Sequence, residues 1–150
     1  MLYYEDIDLG TGYTSRDYYL DKDELITFAR QWDPQPFHID EEAAKHYPTG
    51  LIGTSVHSYA ILTKLLTESN QEPPAMVAGL GIEDWRMPYP LTPGDYVHAV
   101  ASVESKRESK SKPAFGILVS RSELINQDGK VVLTHRSSGL IMKRPVATAL

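Results

Sequence analysis

The sequence predicts an α+β fold in which an antiparallel sheet wraps around one long central helix. Three observations carry that prediction. The stretch running to about Ser69 holds Val56, Tyr59, Ala60, Ile61, Leu62, Leu65 and Leu66, so it is apolar nearly all round at its middle and calls for burial. The second half of the chain reads as four long strands separated by turn signals. The 150 residues, 41% of them hydrophobic, suit one domain with a sizeable core, and no internal repeat or linker interrupts them. One sheet covers only one side of such a helix, so a second copy is expected to extend the sheet.

The elements follow in chain order. Residues 3–12 read as an entry loop with Gly10 and Gly12, and Tyr13–Leu20, rich in tyrosine, as a strand. Asp21 is an N-cap with Glu24 three residues on, a capping-box variant, and Leu25, Phe28, Ala29 and Trp32 give residues 22–32 an apolar helical face suited to core packing. Asp40 caps a second short helix over 41–46. Thr49–Gly53 is a glycine-bearing loop, and Thr54 or Ser55 caps the long helix. Met76–Trp85 is a strand, joined by the proline-rich segment Met87–Asp95 to a second strand, Tyr96–Ser105. Lys106–Lys112 is a charged loop with solvated basic residues, Phe115–Asn126 a long strand, and Asp128-Gly129 the turn of a hairpin to Val131–Met142. The tail from Lys143 is expected to be loosely held.

Composition narrows the function. There are no cysteines, so disulfides, thiol catalysis and thiolate metal sites are excluded. The net charge is −5 and the basic residues are scattered, which disfavours a nucleic-acid partner. No apolar run has the length of a membrane span, the N-terminus lacks an apolar signal core, and a cytoplasmic protein is expected. No nucleotide-binding glycine motif or other cofactor site is evident. His46, His98 and His135 have no metal-ligand spacing and read as structural or surface residues. His38, Asp40 and His57 could be imagined as a metal cluster, but Asp40 is committed as a cap and His57 reads as a hydrogen-bonded core residue, so no metal is expected.

The chemistry concentrates in Trp32-Asp33-Pro34-Gln35-Pro36-Phe37-His38-Ile39. Each proline locks its own φ and pushes the preceding residue, Asp33 or Gln35, out of the α region. A stiff loop then carries an acid and an imidazole five residues apart beside apolar side chains, which suits proton transfer. The helix after Gly53 starts with free N–H groups and the positive end of its dipole, a seat for a developing oxyanion.

Asp33-Pro34-Gln35-Pro36-Phe37-His38 resembles the D-x-N-P-x-H signature of MaoC-like dehydratases and (R)-specific enoyl-CoA hydratases. Asp40-Glu41-Glu42-Ala43-Ala44, Gly50-Leu51-Ile52 and Pro90-Leu91-Thr92-Pro93-Gly94-Asp95 match in kind and order, and a subgroup carrying D-P-Q-P-F-H and G-L-I-A-S-G-W-H-T is similar almost from end to end. The resemblance implies a hotdog fold, at least a homodimer, and addition or removal of water across the C2–C3 bond of an acyl thioester borne by CoA or an acyl-carrier protein. It implies Asp33 and His38 as the catalytic pair, with their individual roles unassigned. It implies the backbone N–H of Ser55 as oxyanion donor, Gly53 and Thr63 as substrate contacts, and neither metal nor cofactor. The family has glycine where this chain has Ser55, whose side chain would narrow the thioester's approach. For Thr63 a hydroxyl bonded to its own helix backbone is the alternative. Two other functions fit the same layout. A thioesterase needs a carboxylate on the long helix, and the acid there, Glu68, lies at the end opposite the oxyanion seat. A non-catalytic acyl-thioester binding protein is the other.

Overall fold

The computed structural model describes residues 1–69 and 72–145. The helices are α1 (Lys22–Trp32), α2 (Pro36–Ile39), α3 (Glu41–Ala44) and α4 (Ser55–Ser69). The strands are β1 (Gly12–Thr14), β2 (Tyr18–Tyr19), β3 (Met76–Arg86), β4 (Tyr96–Glu108), β5 (Phe115–Asn126) and β6 (Val131–Met142). They form one antiparallel sheet in the order β1-β4-β5-β6-β3, with β2 also paired to β4. The expected strand over Tyr13–Leu20 is thus two short pieces. They part at Ser15, whose hydroxyl oxygen accepts from the Ala99 N–H and takes the place of a ladder bond.

The sheet curls around α4 in the hotdog layout. Register shifts in β3, β4 and β6 bend the strands, since an unpaired extra residue raises the local twist. Ile61, Leu62 and Leu65 of α4 pack against Val97, Ala99, Leu124 and Leu133 of the sheet, closed at one end by Leu20, Leu25 and Leu91. On β4 the buried positions Val97, Ala99, Ala101 and Val103 alternate as period two requires. The β5–β6 turn uses Gly129 at φ +72°, and the Asn126 carboxamide oxygen accepts from the N–H groups of Asp128 and Lys130. Side-chain chemistry thereby fixes the register that sets Leu124 opposite Leu133.

Several expectations need correction. The segment before β1 is not a plain loop: Tyr4–Asp6 forms a 3₁₀ turn, and a second small core gathers Ile7, Ala75, Val103, Leu118 and Ile141 beneath Tyr3 and Tyr4. β4 runs on to Glu108, and Lys106 is not simply solvated. Its ammonium donates to the carbonyls of Tyr4 (2.9 Å) and Ile7 (2.6 Å) and lies 4.4 Å from the Tyr4 ring centre. The tail is held through Arg144, because Lys143 N–H donates to the Ala114 carbonyl and Arg144 pairs with Asp6; residues 146–150 lie outside the described residues. Trp32 does not join the core stripe of α1 but stands 64% exposed at its end.

α4 is buried on one side only. Val56, Ala60 and Thr63 are exposed on its other flank. Every residue of β3 is exposed as well, including Val77, Leu80, Ile82 and Trp85, and the outer edge of β3 has no strand partner among the described residues.

Candidate active site

Two short segments converge where α1 ends and α4 begins. Asp33 caps the C-terminus of α1, its N–H donating to the Ala29 carbonyl at 2.8 Å. Pro34 stops the helix there, and Pro36 starts α2 at its first position, where a missing N–H costs nothing. That single turn carries His38. The loop before α4 is clamped to it twice: Ile52 N–H donates to the Phe37 carbonyl (3.3 Å), and the Ile52 carbonyl accepts from His38 Nδ1 at 2.7 Å. Gly53 continues the clamp, donating its N–H to the Leu91 carbonyl at 2.7 Å. A Cβ at this position would sit 3.0 Å from the Leu91 side chain, so a larger residue would have to push Leu91 back by a few tenths of an ångström.

The result is a cleft of about 380 Å³ with Asp33, Gln35, His38 and Ser55 on one wall and Met87 and Tyr89 on the other. His38 Nε2 and Asp33 Oδ2 are 3.7 Å apart, too far for a direct hydrogen bond and close enough for both to contact one small molecule. His38 is 6% exposed. Because its Nδ1 must donate to a carbonyl, the neutral ring presents a bare Nε2 lone pair toward the cleft. The Gln35 amide donates to Asp33 Oδ1 at 3.0 Å and holds the carboxylate in place, leaving Oδ2 free to face Nε2.

Thr54 is the N-cap of α4. It is fully buried, and its hydroxyl oxygen accepts from the His57 N–H at 3.0 Å. Ser55 is then the first helical residue, and helix geometry provides no intrahelical acceptor for its N–H. Asp33, His38 and the first residue of α4 therefore line one cleft.

Thr63 is not in this cleft. It lines a second, larger groove of about 710 Å³ under β3, with Tyr59, Thr67, Leu80, Ile82 and the serines of β5 and β6. Asp40 is spent as a cap, accepting from Glu42 N–H and Ala43 N–H. His57 is 3% exposed and hydrogen-bonded to Glu24. Among the described residues no three His, Asp or Glu side chains are grouped to hold a metal. No helix is long and apolar enough to cross a membrane. Sequence reasoning passed over Met87 and Tyr89, although the alternation Met87-Pro88-Tyr89-Pro90 was a signal, since each proline forces the residue before it to be extended. It also read Glu24 as half of a capping box. Asp21 does cap α1 through Asp23 N–H and Glu24 N–H, but the Glu24 carboxylate turns instead to Tyr18 and His57.

The MaoC-like domain pattern matches residues 8–122. The chain belongs to that family. A crystal structure of the MaoC-like dehydratase from Rhodospirillum rubrum is 34% identical and superposes with a TM-score of 0.90, covering 97% of this chain and 100% of its own. The uncharacterised protein YdeM of Bacillus subtilis (strain 168) is 26% identical over 140 residues, which span 93% of this chain and 98% of YdeM. The R-hydratase PhaJ1 of Pseudomonas aeruginosa shares the fold, with a TM-score of 0.72, at 19% identity over 99% of this chain and 92% of its own.

Proposed function

We propose that the protein catalyses the reversible hydration of a 2-enoyl thioester to an (R)-3-hydroxyacyl thioester, the acyl group being carried by CoA or by an acyl-carrier protein. The observation that carries this reading is a carboxylate and an imidazole 3.7 Å apart in a cleft that Ser55, the first residue of a long helix, also lines. Membership of the MaoC-like family and the shared fold of an R-hydratase support it.

In the hydration direction the thioester carbonyl accepts from the Ser55 N–H. As the water oxygen bonds to C3, the C2–C3 π electrons move toward the carbonyl, whose oxygen becomes enolate-like. A fixed donor at a helix N-terminus stabilises that charge without having to reorient. Asp33 and His38 hold the water between them and share one proton. One member of the pair takes the water proton; the other delivers its own to C2 on the same face, and passage of the proton between them resets the site. Water is added whole, and nothing is oxidised. Gly53 brings the backbone close to the thioester. The acyl tail then follows the Ser55, Tyr59, Thr63 row of α4, four residues apart and about 12 Å from end to end, into the larger groove. The working unit is a homodimer, because the β3 edge and the exposed flank of α4 are otherwise left as open apolar surface.

The test is product analysis with a crotonyl thioester. A 3-hydroxybutyryl thioester of R configuration is expected. Release of free thiol would replace this reading by a thioesterase, and saturable binding without turnover by a binding protein.

A further inference from the structure

A buried histidine next to the site has no part in the chemistry above. His57 sits one residue beyond Val56 in the first turn of α4, with its side chain 4% exposed. Its Nε2 lies 3.1 Å from Glu24 Oε1 on α1, and the Phe28 ring, one turn along α1, stacks on the imidazole at 4.2 Å with the planes 7° apart. Glu24 is held from its other side by the Tyr18 hydroxyl, 2.8 Å from both carboxylate oxygens. The network assigns the tautomer: Nε2 carries the hydrogen and donates it to the carboxylate. Nδ1 is then a bare acceptor, buried, with no hydrogen-bond partner among the described residues. The Glu24 hydrogen bond and the Phe28 stack hold that ring in one orientation.

What the ring joins explains the orientation. At one end are Glu24 and Phe28 of α1, the rod whose last turn hands over to Asp33. At the other is the turn of α4 that starts with the Ser55 N–H, and the His57 N–H is itself tied to the Thr54 cap. We infer that Tyr18, Glu24 and His57 form a positioning device that sets the distance between the Asp33 carboxylate and the Ser55 N–H. Its catalytic meaning rests on the proposed hydratase reading; the docking of α1 on α4 does not. Glu24 contacts no reacting atom, so it is a positioning residue. Its removal lets two rigid helices drift by a fraction of an ångström, and misplacement on that scale costs up to about a hundredfold in rate.

The experiment compares Glu24→Ala and Glu24→Gln in the full-length protein by steady-state kinetics on crotonyl-CoA and by the backbone amide resonances of Ser55 and Asp33. Alanine is expected to lower kcat about tenfold to a hundredfold with KM little changed, and to move the Ser55 resonance. Glutamine keeps an oxygen that accepts from His57 Nε2 and Tyr18, so it should restore most of the rate and the wild-type resonance. Wild-type kcat per folded molecule in Glu24→Ala, with an unmoved Ser55 resonance, overturns the inference even if the melting temperature has dropped. If Glu24→Ala does not fold, Tyr18→Phe takes its place: a smaller shift of the same resonances supports the device, and no shift overturns it. If the wild-type enzyme proves inactive on enoyl thioesters, the hydratase reading fails and the resonances alone decide whether the three residues dock the helices.

Discussion

The corner where α1 meets α4 and the edge formed by β3 are made in opposite ways. At the corner nearly every polar group has a named partner: Asp33 with Gln35, His38 with Ile52, Gly53 with Leu91, Thr54 with His57, Glu24 with Tyr18. These contacts all lie within one chain. At the edge, a whole strand of eleven residues is exposed, with Leu80 at 52% and Ile82 at 43%, and it borders the larger groove. The corner is finished by the chain itself and the edge is not. The difference teaches where the site's precision comes from and where its enclosure comes from. In the proposed hydratase, local hydrogen bonds would set the reacting groups, whereas walls for an acyl tail would need something laid against β3.

The largest effects should come from the corner. Asp33→Asn and His38→Ala are each expected to lower kcat by at least about a hundredfold, the scale of a lost general acid or base, while leaving the melting temperature within a few degrees. Near-normal turnover in either variant would move the chemistry elsewhere. Ser55 gives a sharper test, because the donor is backbone and the side chain is incidental. Ser55→Pro deletes the N–H at a helix position that tolerates proline, and should cost roughly a hundred- to thousandfold in rate. Ser55→Gly removes only the hydroxymethyl group and should keep or raise activity. A dead glycine variant that is folded would make the hydroxyl the functional group and end the hydratase reading.

The edge should respond differently. Leu80→Lys sets a charge on an apolar strand face without touching the corner. In light scattering the wild type is expected as a dimer at micromolar concentration and the variant as a monomer. The variant's kcat/KM should fall by about tenfold or more, mainly through KM, since removing binding surface for a non-reacting group raises KM first. A monomeric wild type with full activity would show that one chain encloses its own substrate.

The same contrast governs what was legible in the sequence. The bounds of α1, β5 and β6 followed from caps, periodicity and the Asp-Gly turn, because local residues decide them. The proline-stiffened loop announced Asp33 and His38, since two prolines restrict the backbone whatever surrounds them. Other features depend on residues far apart in the chain and had no local signal. Lys106 looked like part of a solvated charge run until Tyr4 and Ile7 came beside it, about a hundred residues away. Glu24 fitted a capping box until Tyr18 and His57 claimed it. Trp32 fitted the helical stripe, but at the end of α1 it stands 64% exposed among the described residues. Thr63 lies on the same helix as Ser55, yet two turns separate it from the cleft.

The smallest effect expected is a pH dependence of stability carried by one histidine from each region. Burial holds His57 at the corner below its ordinary 6.5, with Glu24 opposing in part. Burial does the same to His135, which lies under Tyr59 and Trp85 beside β3, with a backbone hydrogen bond at Arg136 opposing. In the unfolded chain both titrate near 6.5, so below that pH the unfolded state binds more protons than the folded one. Stability is therefore complete above the unfolded value and is lost as pH falls from there toward the depressed folded values. Glu68 and Glu104, held low mainly by Arg16 and by Arg121 respectively, lose their contributions only below their own unfolded value of 4.5, so the windows separate. Melting temperature should fall between about pH 7.5 and about pH 5.5, and His57→Gln and His135→Gln should each flatten that fall. The two variants then differ as the two regions do. The His57 contribution belongs to one chain and should not depend on protein concentration. The His135 contribution should shrink on dilution or in Leu80→Lys, where a second copy no longer shields Trp85 and the ring beneath it from water and the burial that depresses the histidine is relieved. A melting temperature that rises toward acid would show that neither histidine is held neutral by the fold.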